Sequence, residues 1–224
     1  MNNKDIAALE SIEKLANYNS YIFSKIFKKK LNGHVLDFGC GFGTFSIFIK
    51  EKFNKNVIGY EINEQAKDIL DTKNVEHIDS LDKYKESFDT VVSLNVLEHI
   101  ENDTEQIEYL YNLLADEGKL ILYLPHSMKI WSRLDEDVNH FRRYTKKDLV
   151  KKLKDNKFSI ISSEYVDFIG WATLLISKIF KIELKFDEKK LLFYDKYIFF
   201  LFKYFDILFS RITGKNILIV AQKK

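Results

Sequence analysis

The chain has 224 residues, a formal net charge of +2 and one cysteine, Cys40. The length suits one α/β domain with some elaboration. The near-neutral charge gives no field for a polyanion, so nucleic acid is not an expected partner, and one cysteine excludes an intrachain disulfide. The polar start MNNKDIAALE is not a secretory signal. No uncharged apolar run reaches the roughly 20 residues of a membrane span. A cytoplasmic location is therefore expected.

Residues 4–30 read as helical, with Ile6, Leu9, Ile12 and Leu15 at helix spacing. Tyr18 and Tyr21 follow and either line a pocket or simply pack. Strand and helix then alternate, which argues a parallel sheet covered by helices on both faces. The strands are expected at His34–Phe38, Asn56–Tyr60, Val75–Ile78, Phe88–Leu94, Lys119–Leu124 and Phe158–Tyr165, and the last at Asn216–Gln222. Helices are expected over Thr44–Lys52, over Asn63–Leu70, around Ile107–Leu114, and after the N-cap Thr145 with Asp148 three residues on.

The most informative stretch is VLDFGCGFGTFS, Val35 to Ser46. It reads as a buried strand, a turn carrying Gly39, Gly41 and Gly43, and the start of a helix. Such a turn exposes backbone N–H groups at a helix N-terminus, where an anionic or polar ligand can sit. Glu61 ends the next apolar run, where an acid can accept hydrogen bonds from both hydroxyls of a ribose. The strand ends bring Asp37, Glu61, Asp79 and Asn95 to one rim, and ligands of open α/β sheets bind at that rim. The spacing is G-x-G-x-G rather than the G-x-G-x-x-G of dinucleotide folds, which speaks against a nicotinamide-dependent oxidoreductase.

This ordered set resembles the motifs of class I S-adenosylmethionine-dependent methyltransferases, over about residues 30–165. The resemblance implies an α/β, Rossmann-like class I methyltransferase fold with a mostly parallel seven-stranded sheet. N-terminal helices and a helical aromatic insertion before the last strand elaborate it. One domain is expected, divided into a helical cap (1–30), a core (31–166), the insertion (167–213) and the last strand (214–224). The resemblance also implies S-adenosylmethionine as cofactor, with Asp37, Gly39, Cys40 and Gly41 around its methionine end and Glu61 on the ribose. Ile62 would pack on the adenine, Asp79 with Ser80 would take the adenine amino group, and Asn95 would face the methionine part.

The methyl acceptor is expected to be a small molecule, with oxygen preferred over the amino group of an amino sugar or related metabolite. A lipid-linked, quinone or glycosyl acceptor would suit the aromatic C-terminus. A non-catalytic cofactor-binding subunit is the reading from another class. An oxygen nucleophile must lose a proton, for which His suits neutral pH. His140 and then His126 are the candidate bases. Arg142, Arg143, Tyr144 and Trp171 are candidate substrate contacts, although the arginines could instead pair with Asp135, Glu136 or Asp137. The Glu98–His99 pair is similar to a place where some ubiquinone-type O-methyltransferases hold a divalent metal. Asn95 stands where that pattern has an acid, so no metal is expected.

Residues 168–209 hold an unusual density of aromatics, including Phe186, Phe200 and Phe202. One helix is expected from Leu191 to Arg211, with Asp195, Lys196, Lys203 and Asp206 as a narrow polar stripe and a wide apolar surface. Three readings stay open: a lid on the substrate site, a homodimer interface, or peripheral contact with a membrane.

Overall fold

The computed structural model describes residues 10–11, 13–182 and 188–224. Ile6, Leu9 and Ile12 of the expected first helix, and Phe186, lie outside the described residues, as do the side chains of Phe200 and Phe202. In chain order the elements are α1 (Ala16–Phe27), β1 (Val35–Phe38), α2 (Thr44–Phe53), β2 (Ile58–Tyr60), α3 (Glu64–Thr72) and β3 (His77–Ile78). Next come β4 (Phe88–Leu94), a 3₁₀ turn at Leu97–His99, α4 (Asp103–Leu113), β5 (Leu114–Pro125) and a 3₁₀ turn at Met128–Ile130. Then follow α5 (Arg133–Asp137), α6 (Lys146–Asp155), β6 (Phe158–Val166), α7 (Phe168–Ile179), α8 (Glu188–Phe193), a π turn (Tyr194–Ile198), α9 (Phe199–Phe209) and β7 (Asn216–Lys223).

The seven strands form one sheet in the order β3-β2-β1-β4-β5-β7-β6. β1 to β5 run parallel, and β7 enters antiparallel between β5 and β6. The expected α/β, mostly parallel architecture is therefore what the chain adopts. Strand side chains alternate between faces, and the apolar runs fill both. Leu36, Val91 and Leu122 face Ile107, Leu110, Leu149 and Leu153 of α4 and α6. Their neighbours Val35, Val92 and Ile121 face Ile22, Phe23, Ile26, Phe45 and Ile49 of α1 and α2. Burial on both faces is why these strands read as continuous hydrophobic runs.

Three boundaries differ from the sequence expectation. The N-terminal helix is interrupted at Leu15, whose φ/ψ of −81°/72° is not helical, before α1 begins. β5 starts at Leu114, directly after α4. The expected Glu117-Gly118 turn survives inside β5 as an irregularity, with Glu117 at a φ of 58°.

The third difference is the C-terminal helix. It carries a π turn in place of one regular helix, and the acids of its polar stripe are not solvated. Asp195 and Asp206 are each only 4% exposed. The Asp195 carboxylate accepts hydrogen bonds from the Asn17 and Tyr18 backbone N–H groups, at 3.0 and 2.8 Å. It thus satisfies donors left open at the start of α1. Asp206 does the same for α7, accepting from the N–H groups of Asp167 (2.8 Å) and Phe168 (2.6 Å). The two acids fasten the segment inward. Ile207 (72% exposed), Leu208 (70%) and Phe193 (57%) are left pointing outward. Tyr18 and Tyr21 pack edge-on against Phe199 in this layer. Their hydroxyls meet Tyr123 and Asp206, so both tyrosines serve packing.

Candidate active site

The glycine turn leaves β1 at Gly39 and enters α2 at Thr44. Gly39, Gly41 and Gly43 have φ of 74°, 54° and 73°, a region that L-residues with a side chain seldom adopt. Two of them are also closed in by neighbours. A Cβ on Gly39 would lie 2.5 Å from Val96 Cγ2, and one on Gly43 2.8 Å from Leu70 Cδ2. The turn is thus packed against its neighbours at its first and third glycines.

Glu61 fixes the cradle. One carboxylate oxygen accepts the Gly41 N–H at 2.9 Å, and the other accepts from Ile62 and Asn63 at 2.8 and 3.0 Å. The side chain is only 6% exposed. Glu61 therefore has a structural role, binding the end of β2 to the glycine turn, that sequence reasoning missed. Gly39 and Cys40 support it by donating their N–H groups to the Tyr60 carbonyl. Cys40 is buried with its sulfur against Gly59, and burial pushes its thiol up, so it is an inert packing group.

Asp37 is buried beside the cradle and accepts a hydrogen bond from the Ser46 hydroxyl at 3.2 Å. Burial, with the Glu61 charge adding to it, pushes its carboxyl up to about 7. A carboxyl raised on folding binds a proton that the unfolded chain has lost. The contribution of Asp37 to stability should therefore fall as pH rises from about 4 to 7 and then level off. In Asp37→Asn that fall should flatten, as urea melts in a pH series would show. A fall equally steep in Asp37→Asn would assign the effect elsewhere.

The remaining rim residues divide into two groups. Ile62 is 76% exposed next to Glu61. Asp79 and Ser80 are exposed beyond β3, with Asp79 paired to Lys67 at 3.2 Å and Ser80 donating to Asp82 at 2.8 Å. Asn95 ends β4 with a φ of 53° and accepts from Asn216 Nδ2 at 3.3 Å. These four are accessible on the ligand side of the sheet.

The loop from His126 to Tyr144 behaves differently, and here the expected substrate contacts need correction. Tyr144 is buried, and its hydroxyl donates to Asp103 Oδ2 (2.9 Å) and is 3.2 Å from the Leu97 carbonyl. Arg143 is also buried. Its Nε donates to Asp135 Oδ1 at 2.7 Å and its Nη1 to the His126 carbonyl at 3.3 Å. Both side chains therefore brace the loop and have no face free for a substrate. Arg142, half-buried, pairs with Asp103 at 3.1 Å and donates to the Glu101 carbonyl. Burial opposes ionisation of Asp103, but Lys152, Tyr144 and Arg142 outweigh it and hold its carboxyl below the usual range. Trp171, half-buried, stacks on Phe168 in α7, which packs against the Met128–Ile130 turn.

The two candidate bases sit in unlike surroundings. His126 follows β5, and its Nδ1 is 2.9 Å from the Tyr144 carbonyl. A carbonyl only accepts, so Nδ1 carries the proton and Nε2 is left with a lone pair. Burial, together with the Lys146 and Arg143 charges, holds His126 below the ordinary histidine range, so it is neutral at pH 7. His140 instead has Nδ1 on Asp135 Oδ1 at 2.9 Å and Nε2 facing Glu98 Oε1 at 3.9 Å. Both of its ring nitrogens thus look into the protein. Glu98, His99 and His140 form a cluster whose ligand atoms lie within 4.8 Å of one another.

A family model described as "Methyltransferase domain" matches residues 11–163. The chain belongs to that family. Its fold is that of the class I methyltransferases. An uncharacterized protein of Methanocaldococcus jannaschii is 30% identical over 149 residues, which are 65% of this chain and 63% of that one. A sphingolipid C9-methyltransferase of Candida albicans is 28% identical over 58% of this chain and 29% of its own length. The chain thus spans less than two thirds of the curated relatives it matches. A SAM-dependent methyltransferase from Archaeoglobus fulgidus shares the fold at a TM-score of 0.61 and 18% identity, over 92% of this chain and 94% of that one. Among the described residues, no helix is long and apolar enough to cross a membrane.

Proposed function

We propose that this methyltransferase moves a methyl group from S-adenosylmethionine to an oxygen of an amphipathic small molecule presented at a lipid surface. The observation that carries the lipid surface is the inverted C-terminal segment. Its acids point inward as caps, while Ile176, Ile179, Phe180, Tyr197, Ile207 and Leu208 point outward. Lys178, Lys181, Lys189 and Lys196 are exposed along the same segment, and its described exposed acid, Glu188, is paired with Lys14. An apolar face edged with lysines suits the boundary between anionic headgroups and acyl chains. Exposed apolar surface of this extent is unusual on a monomer with no partner. α7, which carries part of this face, packs against the Met128–Ile130 turn beside the rim, so a surface-borne acceptor would arrive next to the site.

When bound, S-adenosylmethionine supplies a methyl group on a sulfonium that is its own leaving group. The chain's part is to hold, orient and exclude water. Gly39, Cys40, Gly41 and Asp37 cradle the methionine end, with Asn95 across from them. The outer lone pairs of Glu61 take the ribose hydroxyls. Ile62 covers the adenine, and Asp79 with Ser80 meets its amino group. His126 Nε2 takes the proton of the acceptor hydroxyl, and Trp171 lines the approach. His140, first among the expected bases, has its ring nitrogens turned to Asp135 and Glu98 and is left out of this role.

Sedimentation with vesicles containing an anionic phospholipid tests the lipid surface. At low salt the wild type should pellet with the vesicles. Ile207→Asp/Leu208→Asp should remain in the supernatant, with S-adenosylhomocysteine binding retained. Wild-type protein that stays in the supernatant would overturn the lipid reading. A dimer in the ultracentrifuge that the double variant abolishes would give the face to a second copy instead.

A further inference from the structure

We infer that Glu98, His99 and His140 form a binding site for a divalent first-row transition-metal cation at the rim of the sheet. The inference stands apart from the nature of the acceptor and from the lipid surface.

Glu98 and His99 lie on the 3₁₀ turn that follows β4, three and four residues beyond Asn95. His140 reaches the same place from the loop between α5 and α6. The Phe141 N–H donates to the Glu98 carbonyl at 2.8 Å and straps that loop onto the turn. The three ligand atoms lie within 4.8 Å of one another, and the imidazoles of His99 and His140 meet edge-on with centroids 4.6 Å apart.

Glu98 supplies the independent observation. Its side chain is fully buried, and neither carboxylate oxygen has a hydrogen-bond partner. A buried carboxylate with both oxygens unmatched carries a large desolvation cost. Protonation alone would not satisfy it. The facing His140 Nε2 is 3.9 Å away, too far for a direct hydrogen bond. The gap does suit a shared cation. Metal–nitrogen and metal–oxygen bonds of about 2.0–2.2 Å place two ligand atoms roughly 3–3.5 Å apart, so the pair needs to close by about 0.4–0.9 Å.

The surroundings match the chemistry of a ligating imidazole. His140 Nδ1 is held at 2.9 Å by Asp135 Oδ1. A carboxylate there fixes the proton on Nδ1 and aims the Nε2 lone pair at the cluster, the support that metal-bound histidines ordinarily have. Asp135 is itself paired with Arg143 at 2.7 Å. The Arg143 charge is therefore matched, and the Glu98 charge is left for the cation. Two imidazoles and one carboxylate favour zinc, cobalt, nickel or iron over magnesium or calcium. His99 is exposed while Glu98 is buried. The cation would thus have open positions toward solvent, where an acceptor oxygen could bind and be polarised.

Chelator-treated full-length protein titrated with Co²⁺ alone tests this, followed by calorimetry and by visible absorbance. One saturating equivalent with ligand-field bands is expected, displaced by Zn²⁺. Glu98→Gln and His99→Ala should each weaken binding by about tenfold or more. Glu98→Gln keeps the shape of the side chain, and His99 is exposed, so both variants should fold. S-adenosylhomocysteine binding, measured on the same samples, confirms this and separates failure of the metal site from failure of the methyltransferase reading. No saturable Co²⁺ binding at millimolar metal would overturn the inference, as would binding that neither variant weakens.

Discussion

Asp135→Ala should destabilise the protein by about 3–5 kcal/mol, the cost of leaving a buried charge without its partner. Asp135 is 1% exposed, and its carboxylate accepts from Arg143 Nε (2.7 Å), His140 Nδ1 (2.9 Å) and the Ser132 N–H (2.9 Å). Without it, Arg143 is a buried guanidinium with only the His126 carbonyl left, and the loop from His126 to Tyr144 loses its hub. Burial pushes the Asp135 carboxyl up, but the His140 and Arg143 hydrogen bonds outweigh it and hold it down at about 2. The ordinary value is about 3.9. A depressed carboxyl contributes stability that is fully present above pH 4 and lost as pH falls through about 2. Urea unfolding at pH 7 and through the acid range would check both parts. A loss below about 1 kcal/mol, the range of an exposed pair, would contradict this placement of Asp135.

Glu61→Ala should act on stability and on cofactor binding together. Three backbone N–H groups end on its carboxylate. Truncation strands them and should cost about 2–4 kcal/mol, given roughly 1–3 for one buried unsatisfied group. The glycine turn would then lose its tie to β2, and the ribose its acceptor. The affinity for S-adenosylhomocysteine should fall by about 100-fold, or roughly 2.7 kcal/mol. Glu61→Gln separates the two effects. It keeps one acceptor oxygen and should recover more stability than affinity. Stability lost with affinity intact would confine Glu61 to the structural role.

What the sequence made legible is what local pattern encodes. The apolar runs, the three glycines of the turn, the N-cap at Thr145 and the acids at strand ends each carry their signal within a few residues. The succession of strands and helices and the rim of strand ends follow from them with little further input. The Thr145 cap, for example, is present as read, with its hydroxyl accepting the Asp148 N–H at 3.1 Å.

Contacts between distant segments carried no such signal. Asp206 caps a helix that begins 38 residues before it in the chain, and an acid in an aromatic helix reads locally as its solvated stripe. The helical periodicity was sound, but the direction of the stripe was set by donors on other elements. Arg143 and Tyr144 lie in a run that reads as a substrate loop, yet Asp135 and Asp103 turn them inward. Glu98 and His140 come together because the Phe141 N–H, Arg142 and Tyr144 tie the two loops to each other. Glu61 reads as a ribose acid from its place at a strand end, but its grip on Gly41 depends on how β1 and β2 pair.

The most direct test of the account is calorimetric titration of the full chain with S-adenosylhomocysteine, with NAD as control. The account predicts saturable one-to-one binding of the sulfur nucleoside, weakened in Glu61→Ala, and no heat with NAD. No binding at millimolar ligand to folded wild-type protein, or binding of NAD alone, would contradict the assignment of the glycine cradle to the methyl donor.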